Sequence, residues 1–411
     1  LIYFESLIRA LGPPPESPLG PKPQDGTELD ARLREAQRLT GLLEAVPAFS
    51  FVRLGDMDLG LLLAAQDGVC EPEKTFGRTD TTTGTSAQGC LGIGSAHARR
   101  LRQALESADY VDFHQRLWPV GLLLPQLKLA RPAHLHGNSS AQTSYLLLTW
   151  LEREFKGYCE RHRTGFCGAE AEVLNYLHDK EAFHEAATGV WPRSGHQFFH
   201  QPRDNGSNLD ANLDVIKADL VQFIRETGID TLFLSLGGAA KILCHELAAE
   251  EGIRCIDFGA MLRALCYLGS DGNRAARSTH SPFYHRLPFD LVMDAVEAAY
   301  PALPPEDLLA KAHAQLILEL QKKEIGWTSA SQEYDFGPEN RRIFQQGHRA
   351  YVRRYRKLLD RNAATRLERK RFLHFCGKHR LTFEGRIFYS VFVLKSILSQ
   401  LACNFRNQAT S

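Results

Sequence analysis

Long apolar runs are missing from this chain. No stretch of the 411 residues reaches the roughly 18 uncharged residues expected of a spanning helix. The nearest, Ile387 to Phe405, is interrupted by Lys395, Ser396, Ser399 and Gln400. Leu1 to Ile8 carries no basic leader and does not read as a signal peptide. Cysteine is sparse and unpatterned: nine residues, an odd number at no regular interval, argue against a disulfide framework and suit a reducing compartment. The tight Cys-x-x-Cys pairs of zinc sites are lacking. Cys159, His162 and Cys167 come closest, and the two cysteines read as ordinary buried or surface thiols. A full Gly-x-Gly-x-x-Gly, a Walker lysine and any internal repeat are also lacking. The expected location is the cytoplasm, with peripheral contact at the inner membrane face as an option.

What is present is the composition of an ordinary globular protein, 44% hydrophobic and 24% charged. The net charge of +1 hides an uneven distribution. From Glu339 to Ser411 there are roughly 17 Lys/Arg against about 4 Asp/Glu, so the body before that tail is net acidic. Residues 1–27 are rich in Pro and Gly and read as an arm or linker. Residues 28–285 alternate strand and helix patterns. Helices are expected over 27–44, from 58 to 65 with Asp56 as N-cap, and over 95–107, 140–155, 170–184, 208–227 and 239–250. Strands are expected at 49–54, 109–113, 133–137, 197–201, 231–236 and 254–259. Such alternation predicts an α/β domain with a Rossmann-like, mostly parallel sheet flanked by helices. Residues 286–411 read as a basic helical extension.

Four segments carry candidate chemistry. Arg53-Leu-Gly55-Asp56-Met-Asp58 places two carboxylates just past a buried strand, where open α/β sheets bind ligands. Hard oxygen ligands suit Mn2+ or Mg2+, so Asp56 and Asp58 are candidate metal ligands, with Arg53 a candidate to pair with an anionic oxygen or to hold Asp56 in place. Leu236-Gly237-Gly238-Ala239 carries a strand into a helix and offers amide N–H groups to a phosphate. Ile256-Asp257 puts an acid at a strand end, and Pro202 to Asn205 forms a polar loop. Asp80, Asp112 and Asp257 are candidate bases. The pairs His134/His136 and His196/His200 lack a third local ligand and read as structural or surface histidines.

Taken in order, these segments resemble the GT-D type glycosyltransferases over about residues 45–265. The front motif there usually reads Arg-Phe-Gly-Asp-Gly-Glu; here Met57 replaces Gly and Asp58 replaces Glu. The later Gly-Pro-x-Ala is here Gly237-Gly238-Ala239-Ala240. The resemblance implies transfer of a hexose from a UDP-sugar to a glycan, lipid-linked glycan or glycoprotein. It implies metal and diphosphate at Asp56 and Asp58, catalytic roles for Asp56, Asp58 and Asp257, and donor contacts from Arg53, Gly55, Asn205, Gly237, Gly238 and Ala239. The basic tail could touch anionic lipid; nucleic acid is a weaker expectation. The alternatives are an S-adenosylmethionine-type Rossmann transferase and a non-catalytic module that binds membrane or polyanion.

Overall fold

The computed structural model describes residues 27–68, 97–114, 123–130, 135–138, 145–168, 170–186, 191–193, 195–201, 212–259 and 261–262, with a few positions between 298 and 394. Asn205, Asp80, His134, the N-terminal arm and nearly all of the expected helical extension lie outside them. In chain order the elements are α1 (Thr27–Ala45), β1 (Phe49–Leu54), α2 (Asp56–Gln66), α3 (Ala98–Ser107), β2 (Tyr110–His114), a 3-10 turn (Leu124–Gln126), β3 (Leu135–Asn138), α4 (Tyr145–Arg153), α5 (Phe155–Arg161), β4 (Thr164–Gly168), α6 (Ala171–His178), α7 (Glu181–Ala186), β5 (His196–His200), α8 (Leu213–Thr227), β6 (Thr231–Ser235), α9 (Gly238–Glu251) and β7 (Arg254–Asp257). No helix among the described residues is long and apolar enough to cross a membrane.

The strands form one seven-stranded sheet in the order β3-β2-β1-β7-β6-β4-β5, and every pairing is parallel. The α/β expectation is met at this level. Parallel sheets are covered on both faces, and here the period-two side-chain alternation sorts two kinds of core. One face is aliphatic: Val52, Leu54, Val111, Leu232, Leu234 and Cys255 pack with side chains of α3, α8 and α9. The other is aromatic. Phe166 stacks on Phe233 with centroids 5.0 Å apart, and Phe51 stacks on Tyr110 at the same separation. Trp150 and Phe155 close over them. Polar tips on this face find partners, as buried Trp and Tyr generally must. The Trp150 indole donates to Thr40 Oγ1 at 2.8 Å, Tyr110 Oη donates to Glu35 at 2.8 Å, and the Tyr158 and Thr231 hydroxyls pair at 2.8 Å.

Three expectations are corrected. Thr164–Gly168 is an internal strand, next to the edge strand β5, where none was expected, and it is buried along its whole length. The helix expected over 170–184 breaks at Asp179-Lys180 into α6 and α7. Gly55, not Asp56, is the N-cap of α2. Asp58 sits three residues in, and its Oδ2 accepts the Gly55 N–H at 3.0 Å, the reciprocal half of a capping box.

Candidate functional site

Parallel strands all deliver their carboxyl ends to one edge, and loops there gather side chains that are remote in sequence. β4 leads through α6 and α7 outward to β5, whereas its neighbour β6 leads through α9 the other way, to β7. The strand order therefore reverses between Gly168 and Ser235. Leu236 and Gly237 leave β6 at that point. Gly237 takes φ +59°, a left-handed backbone that a residue with a Cβ rarely adopts, and this turns the chain into α9.

α9 lies across β1 and β7 on the aliphatic face. Its fourth residue, Lys241, is buried, and the ammonium reaches the ends of both strands. Lys241 Nζ is 3.2 Å from Asp58 Oδ2 and 3.2 Å from Asp257 Oδ2, and it donates to the Gly237 carbonyl at 3.3 Å. Asp257 Oδ2 also accepts the Arg53 backbone N–H at 3.3 Å, and Oδ1 accepts the Gly259 N–H at 3.1 Å. The three charged residues are only 5% (Asp58), 7% (Lys241) and 1% (Asp257) exposed. Burial pushes the Asp58 carboxyl above its ordinary range, while Lys241 and the Gly55 N–H pull it back.

Arg53 belongs to the same corner but to the other face of the sheet. It is half-buried, and its guanidinium lies against Gly259. Gly259 has φ +54°, and a Cβ there would overlap Arg53 Nη1. Ser235 Oγ donates to the Gly259 carbonyl at 2.7 Å and ties the end of β6 to this turn. Gly259→Ala is expected to lower stability by about 1–2 kcal/mol from the left-handed backbone alone, with Arg53 also driven from its position. A urea titration checks the first effect, and the shift in unfolding temperature with UDP checks the second.

The structure thus brings together Arg53, Gly55, Asp58, Gly237, Gly238, Ala239 and Asp257. Asp56 opens α2, but its side chain lies outside the described residues, as does Asn205. Asp112 is buried on β2, opposite Arg53 in register. His200 pairs with Glu172 at 2.9 Å, and His196 lies among aromatic rings at the amino end of β5, far along the strand from this edge. Two residues were missed from sequence. Lys241 looked like one more helix lysine; a cation one turn past a Gly-Gly strand exit was the signal. Glu170, buried just beyond β4 at the reversal of strand order, carried no motif.

The fit of Mn2+ or Mg2+ to these residues can be tested directly. Asp58 was expected to turn its carboxylate to a metal, but Oδ2 is already shared by an ammonium and an amide. A dication within about 4 Å of that ammonium would meet a repulsion on the order of 8 kcal/mol at an effective dielectric constant near 20. Among the described residues, no group of three or more His, Cys, Asp and Glu is arranged to hold a metal ion. Asp58 and Asp257 do not fit a metal while Lys241 stands between them. No family model matches the chain, and neither a curated protein nor a solved structure matches it.

Proposed function

We propose that the chain is a nucleotide-sugar-dependent glycosyltransferase that moves a hexose from a UDP-linked donor to a glycan or glycoconjugate acceptor. One observation carries this reading. Three of the segments that resemble GT-D enzymes, around residues 53–58, 236–239 and 256–259, meet at one corner of the carboxyl edge although about 200 residues separate the first from the last. In such a transfer the acceptor hydroxyl attacks the anomeric carbon, the bond from that carbon to the diphosphate oxygen breaks, UDP departs and the hydroxyl proton passes to a base. The leaving diphosphate gathers negative charge. Arg53 is the half-exposed cation at the corner, and the first amides of α9, at Gly238 and Ala239, add the positive end of a 14-residue helix. Asp58 and Asp257 act as positioning groups: they hold the Gly55 and Gly259 turns that set Arg53 and the α2 entry. A lipid-linked glycan acceptor would give the basic C-terminal region a role at an anionic membrane surface.

Thermal unfolding of the full chain with UDP and UDP-sugars tests the reading. A hundredfold excess over Kd adds about 2.7 kcal/mol of stability, and Arg53→Ala is expected to remove most of that gain. Should no nucleotide diphosphate shift the unfolding temperature, the proposal fails. A shift with S-adenosylmethionine instead would move the protein to the other class of Rossmann-like transferase.

A further inference from the structure

We infer that Lys241 is the built-in cation of the Asp58–Asp257 pair, so that these two carboxylates hold a lysine rather than a divalent metal ion when the donor is bound. The inference rests in part on reading this corner as the place of the donor diphosphate. Its first half, that the pair takes no metal, stands on geometry alone.

Two carboxylates from different segments can share a cation only at a point both can reach. Lys241 Nζ occupies that point, 3.2 Å from an oxygen of each. Its three N–H donors are matched by Asp58, Asp257 and the Gly237 carbonyl, all at 3.2–3.3 Å. The ammonium is thereby fastened to its own helix entry as well as to both acids. Asp257 has donors on both oxygens, and Asp58 Oδ2 has a second donor in Gly55. A metal ion bridging the two Oδ2 atoms would have to displace the Lys241 ammonium from the point where they meet, and hard cations seek oxygens with lone pairs to offer. The shorter reach of aspartate at position 58 suits the same arrangement, since its carboxylate folds back on the amide of its own helix cap. With Lys241 in place, the charge that meets a diphosphate comes from Arg53 and the start of α9, and donor binding proceeds without a metal at this pair.

Mn2+ alone is the first probe, titrated into the full chain and followed by the loss of the free-ion signal in electron paramagnetic resonance. Wild type and Asp58→Asn are expected to take up Mn2+ equally. Lys241→Met is expected to gain a site at least tenfold tighter, lost again in Lys241→Met/Asp58→Asn. Saturable binding by wild type that weakens tenfold or more in Asp58→Asn overturns the inference; binding that Asp58→Asn leaves unchanged supports it. The comparison of wild type with Asp58→Asn decides even if Lys241→Met does not fold. The second probe is UDP with and without EDTA. A UDP-induced rise in unfolding temperature that survives EDTA supports the inference, and one lost both in EDTA and in Asp58→Asn overturns it. If UDP produces no rise at all, the glycosyltransferase reading fails, while the Mn2+ titration still decides the role of Lys241.

Discussion

Lys241→Met is expected to lower the free energy of unfolding by about 3–5 kcal/mol, the usual cost of removing one partner from a buried ion pair. The side chain is nearly isosteric, so packing changes little and charge dominates. Wild type places one ammonium between two carboxylates whose side chains are 5% and 1% exposed. Without it, two like charges share a dry corner, and Asp58, already raised by burial, rises further and takes up a proton. An aspartate with a raised folded pKa keeps its proton where the unfolded chain has released it. The variant therefore loses stability as pH increases above the ordinary aspartate range and recovers part of it near pH 4. Lys241→Met/Asp58→Asn should regain much of the loss at pH 7, because only one carboxylate is then left uncompensated. Urea titrations of the three proteins at several pH values measure this. A loss under about 1 kcal/mol, the scale of an exposed pair, would mean that water reaches the corner and that Lys241 does not seal it.

The second large effect lies at the opposite end of the sheet. His196 opens β5 and is buried among Trp191, Phe166 and His178, with ring centroids 5.2, 5.6 and 5.2 Å away. Its Nδ1 pairs with Thr164 Oγ1. Burial, reinforced by His178 and His184, brings its pKa down to about 3, with a smaller opposing pull from the Pro192 backbone. A histidine with a lowered folded pKa stays neutral in the native state while the unfolded chain takes up a proton. The stability from this group is thus fully present above about pH 6.5 and is lost as pH falls toward 3. The slope is about 1.4 kcal/mol per pH unit, or about 2 kcal/mol between pH 6.5 and 5. His178 is lowered as well, first by its own burial and then by His184, and adds in the same direction. The measurement is the difference between wild type and His196→Gln in urea midpoint, followed from pH 7.5 to 5. The variant's curve should be flatter by about that amount, and parallel curves would show that His196 is accessible to water in the folded protein.

The Mn2+ and UDP experiments separate two questions that a single activity assay would merge. A nucleotide response without metal dependence would support both the donor reading and the lysine assignment. A metal response that depends on Asp58 would return this corner to the arrangement the motif alone suggested.

Much of the architecture was legible along the chain. Phe49 to Leu54 and Thr231 to Ser235 are nearly continuous apolar runs without a turn signal, and a strand buried on both faces requires such runs. β4 was not legible because Gly165 and Gly168 dilute its pattern. Gly165 is tolerated mid-sheet because Ile229 of the neighbouring turn fills the space a side chain would take: a Cβ there would come within 2.5 Å of Ile229 Cδ1. The break between α6 and α7 was equally hidden, since neither Gly nor Pro marks it.

By itself the sequence determined the class of fold, the strand exits to within one or two residues of Leu54, Ser235 and Asp257, and the acids, arginine and glycines that stand there. Those features are local: period, propensity and turn chemistry act over a few residues. Only the tertiary structure decided what the acids do. β1 and β7 are neighbours although about 200 residues separate them, and α9 lies over both. That packing carries Lys241 from an unremarkable helix position to the space between Asp58 and Asp257. Once there, Coulomb attraction in a buried site holds it against two acids that the sequence offered as metal or catalytic groups.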